Sequence, residues 1–287
     1  MSYPVYHVQH FKCQSIDHEL YVNTFQDHLQ NHAFVEQPHR HGSHLLLFFT
    51  QGSGTHTVDF EQYQVRPGSL FLLQPGQLHH WNLSRDVDGF VVIYATEHYN
   101  LYFGQKQLSD YPFYASALQK PQVLLQPDEV ATLLPLFNEI IRESRLDEPF
   151  RRDKIINLID CIHIEIARGY ALEKTASTHP YRDKVRAFGT LLDAHFKTEK
   201  SPSFYAGKLH ITPKHLNRIC REMLGKTATE VIAERVVLEV KRLLADFKLS
   251  VNQIADALGF EDYSYFSRFF KKQTGMSPGA FRKAKQP

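Results

Sequence analysis

Over residues 1–100 the apolar positions come in short runs rather than at helical spacing. Leu45–Thr50, Val58, Leu70–Leu73 and Phe90–Ala95 are separated by turn-forming stretches such as Gln51-Gly52-Ser53-Gly54, Arg66-Pro67-Gly68 and Gln74-Pro75-Gly76. Glycine reaches positive φ without a Cβ clash and proline presets a turn. This texture predicts short strands in an all-β sandwich or barrel. Residues 101–125 are rich in aromatics, carry no clear period and read as irregular.

The period changes near Gln126. Pro127-Asp128-Glu129 opens a predicted helix of about 18 residues with Val130, Leu133, Leu134, Phe137, Ile140 and Ile141 on one face. Glu148-Pro149 ends it. A second helix, about Arg151–Gly169, carries Ile155, Ile159, Ile162 and Ile166 at the spacing of an a/d seam. The two helices read as an antiparallel hairpin. Its isoleucine seam is expected either to pack on the β region or to form a dimerisation surface with a second copy. Glu173–Pro180 is short, polar and ends in proline, as a linker does. From Tyr181 onward the pattern is helical. Ser201-Pro202-Ser203 and Thr212-Pro213 place an N-cap before a first-turn proline, and Gly225 and Gly275 mark helix ends. The chain thus divides into residues 1–125, 126–172, 173–180 and 181–287.

Residues 203–227 repeat in 251–277. Ala206 and Leu209 align with Ala255 and Leu258; Leu216, Arg218, Arg221, Gly225 and Thr227 align with Phe266, Arg268, Lys271, Gly275 and Ser277. The second copy carries one extra residue, which the alignment places at Gly259-Phe260. Each copy is a short helix, a tight turn and a second helix, the helix-turn-helix layout whose second helix enters the DNA major groove. In Pro213–Leu224 the inward face is Leu216, Ile219, Cys220 and Met223 or Leu224, and the other face offers Lys214, Asn217, Arg218 and Arg221. In Asp262–Thr274 Tyr265, Phe266, Phe269 and Phe270 point inward, leaving Tyr263, Ser264, Ser267, Arg268 and Lys271 outside. Arginine suits guanine, asparagine suits adenine, and serine and lysine suit phosphate. The helix between the copies, about Ala228–Asp246, has an apolar stripe of Val231, Ile232, Val236, Val240, Leu243 and Leu244 and can hold two readers at a fixed spacing.

Charge sharpens this reading. The net charge of +2 divides into +9 from Tyr181 onward and −7 before it, so a basic half follows an acidic one, as a polyanion-binding domain requires. Double-stranded DNA is the expected partner. No apolar run approaches the ~20 residues of a membrane helix, and no signal peptide is seen. The three cysteines, Cys13, Cys161 and Cys220, form no CxxC pair and read as small buried hydrophobes in a cytoplasmic protein. GxSxG, HExxH and P-loop motifs are absent, so hydrolase chemistry has no support.

Residues 234–282, from Glu-Arg-Val-Val-Leu-Glu-Val-Lys-Arg-Leu-Leu to Ser-Pro-Gly-Ala-Phe-Arg, resemble the signature of AraC/XylS-type transcription regulators, and the likeness extends less strictly back to about residue 183. The resemblance implies a monomeric reading head with base-reading positions at Lys214, Asn217 and Arg218 in the first unit and Tyr263, Ser264, Ser267 and Arg268 in the second. Val240 departs from the alanine usual there. In the N-terminal region, Pro67–Trp81 resembles the second motif of cupin barrels and Pro38–His44 a degraded first motif. His39, His41, His44, His79 and His80 are candidate metal ligands, but Leu45, Leu46 and Leu47 stand where the ligand carboxylate would be, so the expectation is no metal and no cofactor. A small-molecule effector, a sugar or other metabolite, is expected instead, with His41, Gln51, His80, Trp81 and Tyr94 as lining candidates.

The expected fold class is α+β and multidomain: an N-terminal all-β, cupin-like barrel with a helical hairpin, then a C-terminal all-α domain with two helix-turn-helix units. The function these features imply is an effector-controlled, DNA-binding transcription regulator. The resemblance favours an activator, a homodimer that engages RNA polymerase. A ligand-independent regulator with the barrel as scaffold, and a metal-dependent cupin enzyme with a helical tail, are the competing readings.

Overall fold

The computed structural model describes residues 3–11, 19–32, 35, 37–114, 119–174 and 180–284; Cys13 and most of the expected linker lie outside the described residues. Contacts divide the chain into two compact units. The first comprises Pro4–Tyr114 and Gln119–Ala176, and the second contains Ser177–Pro287.

Among the described residues the first unit is built on ten strands: β1 (Val5–Tyr6), β2 (Leu20–Thr24), β3 (His39–His41), β4 (His44–Gln51), β5 (Gly54–Val58), β6 (Glu61–Val65), β7 (Ser69–Leu73), β8 (Leu78–Leu83), β9 (Asp88–Tyr94) and β10 (Gln122–Leu124). They form two five-stranded sheets, ordered β1-β3-β8-β5-β6 and β10-β7-β4-β9-β2. Pairing reaches far along the chain: Leu20 lies opposite Tyr94, Val123 opposite Leu70, and Val5 opposite Arg40. The runs Leu45–Phe49 and Leu70–Leu73 are continuously apolar because both faces of the second sheet are covered. On one face Leu45, Leu47, Phe49, Phe71, Val91 and Ile93 meet Val58, Val65 and Trp81 of the other sheet. On the opposite face Leu46, Phe48, Leu70, Leu72, Phe90 and Val92 meet helices. Gly89 is required in β9, since a Cβ there would sit 1.9 Å from the Phe48 carbonyl oxygen.

Those helices are α2 (Thr96–Phe103), α3 (Pro127–Ser144) and α4 (Arg151–Lys174), whereas α1 (Phe25–Asn31) sends Phe25 into the core between the sheets. The β-type texture predicts neither α1 nor α2, and 101–125 holds the end of α2 and strand β10 where irregular chain is expected. Both helices are short, seven and eight residues, too brief to show a 3.6 period. The hairpin of α3 and α4 is present, and the isoleucine seam of α4 decides its own role. Ile155, Ile159, Ile162 and Ile166 are all buried with Leu133, Phe137 and Ile140 of α3 and with the second sheet. They are core of their own unit, so the dimerisation surface expected on them is corrected to internal packing. Cys161 on the same helix is exposed, not a buried hydrophobe, whereas Cys220 is buried as expected.

Among the described residues the second unit has seven helices: α5 (Arg182–His195), α6 (Pro202–Lys208), α7 (Pro213–Leu224), α8 (Ala228–Ala245), α9 (Val251–Ala257), α10 (Tyr263–Thr274) and α11 (Pro278–Ala284). Ser201 and Thr212 cap α6 and α7 as the sequence predicts, and Thr227, Ser250 and Asp262 likewise accept a first-turn N–H at the starts of α8, α9 and α10. Gly225 and Gly275 close α7 and α10 in the left-handed conformation, at φ 69° and 81°. Helix α8 buries Val231, Ile232, Val236, Val240 and Leu244 and packs against α5, α6, α7, α9, α10 and α11. Arg235 ties it to α5: its guanidinium lies 2.6 Å from Asp193 and 3.1 Å from Glu239 and stacks 3.8 Å from the Phe196 ring centre.

Candidate functional site

The two helix-turn-helix copies share one turn geometry. In the first, His210 adopts φ 53° and Ile211 N–H donates to the Ala206 carbonyl at 3.0 Å; in the second, Gly259 adopts φ 65° and Phe260 N–H donates to the Ala255 carbonyl at 3.0 Å. The register therefore stays constant through Phe260. Thr212 caps α7 directly after Ile211, but Glu261 stands between Phe260 and the α10 cap Asp262. The extra residue is Glu261, a correction to its placement at Gly259-Phe260. Gly259 cannot change, because a Cβ there would lie 2.7 Å from the Lys197 carbonyl oxygen. Lys200 reinforces the turn, donating to the Leu258 carbonyl at 2.6 Å with its ammonium 4.6 Å from the Phe260 ring centre.

Helix α7 buries Leu216, Ile219 and Cys220 and presents Lys214, Arg218 and Arg221 to solvent. Arg218 is held in place: it donates to the Tyr181 hydroxyl at 2.6 Å, lies over the Tyr181 ring, and approaches His215 Nδ1 at 3.1 Å. Asn217 is half-buried, and its side-chain oxygen accepts the Ala228 N–H at 3.0 Å, so it helps cap α8. Its amide nitrogen keeps both N–H donors for a base. Helix α10 buries Phe266 and Phe270 and exposes Tyr263, Ser264, Arg268 and Lys271, with Ser267 half-buried. Tyr265, expected inside, is exposed, and Phe269 is half-buried against Phe260 at 5.5 Å. Lys214, Arg268 and Lys271 make no side-chain hydrogen bond or ion pair among the described residues. Two helices of like geometry thus carry exposed cationic and hydroxyl side chains, the donors that meet phosphates and base edges.

The five expected effector-lining residues do not share one site. His41 and Trp81 lie between the sheets and are buried. His80 alternates with His79 and Trp81 on β8, opposite Thr57, and is on the outer face of its sheet. Gln51 is exposed at the end of β4, beside a register shift. Tyr94 lies on the far face of the second sheet, in the helix-covered core. There its hydroxyl pairs with Tyr114 and with His163 Nε2 of α4, both at 2.9 Å, and its ring stacks on His44, which bonds Thr96. Near it Asp160 of α4 is bound by Lys106 at 2.6 Å and by the hydroxyls of Tyr99 and Tyr111. A cavity of about 160 Å³ between β10, α3 and α4 is lined by Val123, Leu125, Thr132, Leu133 and Ile166. It is smaller than the ~300 Å³ at which ligand pockets usually begin.

Between the sheets, Trp81 packs edge-on to Phe25, His39 and His79 at 5.3–5.9 Å. Tyr21 and His28 join through a 2.9 Å hydrogen bond, and His56 lies 3.0 Å from His79. Residue-type patterns missed Tyr21, His28, His32 and His56. His56 alternates with threonines in Thr55-His56-Thr57, a period-two signal that marks an inward position. Burial lowers the imidazoles strongly: His28 and His56 to about 3, His39 to about 4, and His41 and His79 well below the ordinary range. His41 Nδ1, His56 Nδ1, His79 Nε2 and Trp81 Nε1 are buried without a hydrogen-bond partner among the described residues. A buried polar atom left unpaired costs about 1–3 kcal/mol.

Both units have relatives. A family model described as the AraC-like ligand binding domain matches residues 19–159, and one described as a helix-turn-helix domain matches residues 205–284. The chain is 26% identical over 263 residues to the arabinose operon regulatory protein of Salmonella typhimurium, covering 87% of this chain and 86% of that one. To the arabinose operon regulatory protein of Escherichia coli it is 25% identical over 260 residues, covering 87% and 83%. To the HTH-type transcriptional activator RhaR of Cronobacter sakazakii it is 22% identical over 265 residues, covering 89% of each. The paired turn geometry, the exposed cationic helices and the two family matches, one to each unit, make this chain a member of the AraC family of DNA-binding transcription regulators, and not an enzyme.

Proposed function

We propose that α7 and α10 read two segments of one DNA duplex in successive major grooves, with Lys214, Arg218, Arg221, Tyr263, Ser264, Ser267, Arg268 and Lys271 as contacts and Asn217 contributing through its amide nitrogen. The observation that carries this is the shared turn and cap geometry of the two copies, held by one buried helix, α8. Successive major grooves on one face of B-DNA recur every ~34 Å, or ~10 base pairs. The first unit binds the effector between its sheets, around His41 and Trp81, where an aromatic face and several polar atoms converge. A sugar or similar metabolite fits the likeness to the arabinose operon regulatory proteins. By likeness to the transcriptional activator the chain is an activator that works with RNA polymerase in the cytoplasm as a homodimer. Its partner surface lies away from the isoleucine seam.

Selection of bound molecules from a random duplex library by the full-length protein tests the reading head. The expected product is a motif with two blocks about one helical turn apart, bound with an affinity that falls steeply with salt. A motif with one block, or salt-independent binding, overturns the two-reader arrangement.

A further inference from the structure

Four imidazoles meet inside the first unit: His39 and His41 on β3, His56 on β5 and His79 on β8. His39, His41 and His79 are buried, and each offers a ring nitrogen such that the three atoms lie within 4.8 Å of one another. His39 Nε2 is 3.0 Å from His41 Nε2, and the His39 and His79 ring centres are 4.2 Å apart. The other nitrogen of His39 fixes its tautomer. Nδ1 lies 2.7 Å from the Gln37 carbonyl, which only accepts, so Nδ1 carries the proton and a neutral His39 turns its lone pair toward His41. His79 Nδ1 is 3.0 Å from His56 Nε2, while His79 Nε2 is buried with no hydrogen-bond partner among the described residues.

We propose that His39, His41 and His79 form a binding site for one divalent transition-metal ion of borderline softness, the zinc, cobalt, nickel and copper class, with Gln37 and His56 holding two of the ligand rings. Imidazole suits these ions, whereas magnesium, calcium and manganese take oxygen ligands. Among the described residues no carboxylate joins the cluster, and Leu45 and Leu47 fill the neighbouring core. Metal–nitrogen bonds of about 2.0–2.1 Å set ligand nitrogens about 3.4 Å apart in a tetrahedron, so the cluster needs only a small adjustment to close on an ion. Ligand histidines typically hand their second ring nitrogen to a carbonyl or other acceptor, as His39 does to Gln37. Burial keeps the three rings unprotonated at neutral pH, the form that ligates. With His56 on its Nδ1, His79 faces the ion through Nε2, a nitrogen without another partner among the described residues. Three protein ligands leave a position open for water or for a donor atom of an effector. The proposal replaces the metal-free expectation drawn from the missing carboxylate, and it stands whether or not an organic effector shares the cavity.

The test uses the untagged full chain, stripped with a chelator and titrated with cobalt(II) or zinc(II) chloride. The expected result is one equivalent bound per chain, visible cobalt bands of a low-symmetry site, and a rise in melting temperature with metal. His39→Ala, His41→Ala and His79→Ala should each weaken binding tenfold or more, while His80→Ala, on the outer sheet face, should leave it unchanged. X-ray absorption at the zinc edge of the unmutated protein, which does not depend on any variant folding, should show three imidazole nitrogens. Failure to bind one equivalent, an absorption spectrum with fewer than three imidazoles, or full-strength binding in all three alanine variants overturns the site.

Discussion

Arg268 stands exposed on α10 with no side-chain partner among the described residues, while Arg218, its counterpart on α7, is engaged by Tyr181 and His215. Its guanidinium is therefore available for a guanine edge without first breaking a protein contact. Arg268→Ala is expected to cost ~1–3 kcal/mol of specific binding and to relax selectivity at one base pair, measured by competition between specific and single-substituted duplexes. An equal loss on random DNA would assign Arg268 to a phosphate instead. At this scale the sequence is readable as far as periodicity goes. A 3.6-residue period identifies the outer face of α7, but not that Asn217 on its margin meets the start of α8, because that partner comes eleven residues later. Period two separates His80 from His79 and Trp81 once β8 is known, and adjacency in sequence hides this. His39 and His79 are directly opposed on paired strands, a register that no local pattern reveals.

Among elements, α4 was legible as a helix with one apolar stripe, but the stripe does not name its partner. An a/d spacing suits a second copy and a sheet face alike. The answer depends on whether β2, β4, β7 and β9 are covered, and their continuous apolar runs already say that both faces are. Ile159→Glu together with Ile162→Glu now carries a different expectation from loss of a dimer. Two carboxylates placed in that core cost on the order of a native domain's whole stability, about 5–15 kcal/mol. The cooperative melting transition of the first unit should disappear, as followed by circular dichroism. A folded double variant of unchanged melting temperature that sediments as a monomer would return the seam to a subunit interface. Helices α1 and α2 escaped sequence reading for the opposite reason: they are held by packing, through buried Phe25, His28 and Tyr99, rather than by a long repeat.

Across the molecule, ionisation separates the two units. Among the described residues the first buries His28, His32, His39, His41, His44, His56, His79 and His163, while the second buries no histidine. Burial, the leading cause in each case, holds His28, His44, His56 and His163 at about 3 and His39 at about 4. In the unfolded chain such groups titrate near 6.5. The folded unit therefore keeps its full stability above that value and loses it as pH falls from about 6.5 toward 4, where the unfolded chain takes up protons that the folded one excludes. Each histidine contributes a slope approaching about 1.4 kcal/mol per pH unit in that window. Calorimetry of the chelator-treated chain from pH 7.5 to 5 should show the transition of the first unit falling faster than that of the second. Parallel pH dependence of both transitions would mean that these imidazoles are not held neutral by the fold.

The strand pairings carry a consequence for time. Leu20 cannot meet Tyr94, nor Leu70 meet Val123, until long loops have closed, and pairings of this kind place β-rich domains in the millisecond-to-second range of folding. The second unit is a succession of capped helices joined by short turns, a class that folds in microseconds to milliseconds. Synthesis adds about 5–20 residues per second from the N-terminus, so the sheets have time to assemble while the reading head is still being made. After any later unfolding the order reverses: the head re-forms first, and a refolding chain regains its grip on DNA before it regains the ability to be regulated.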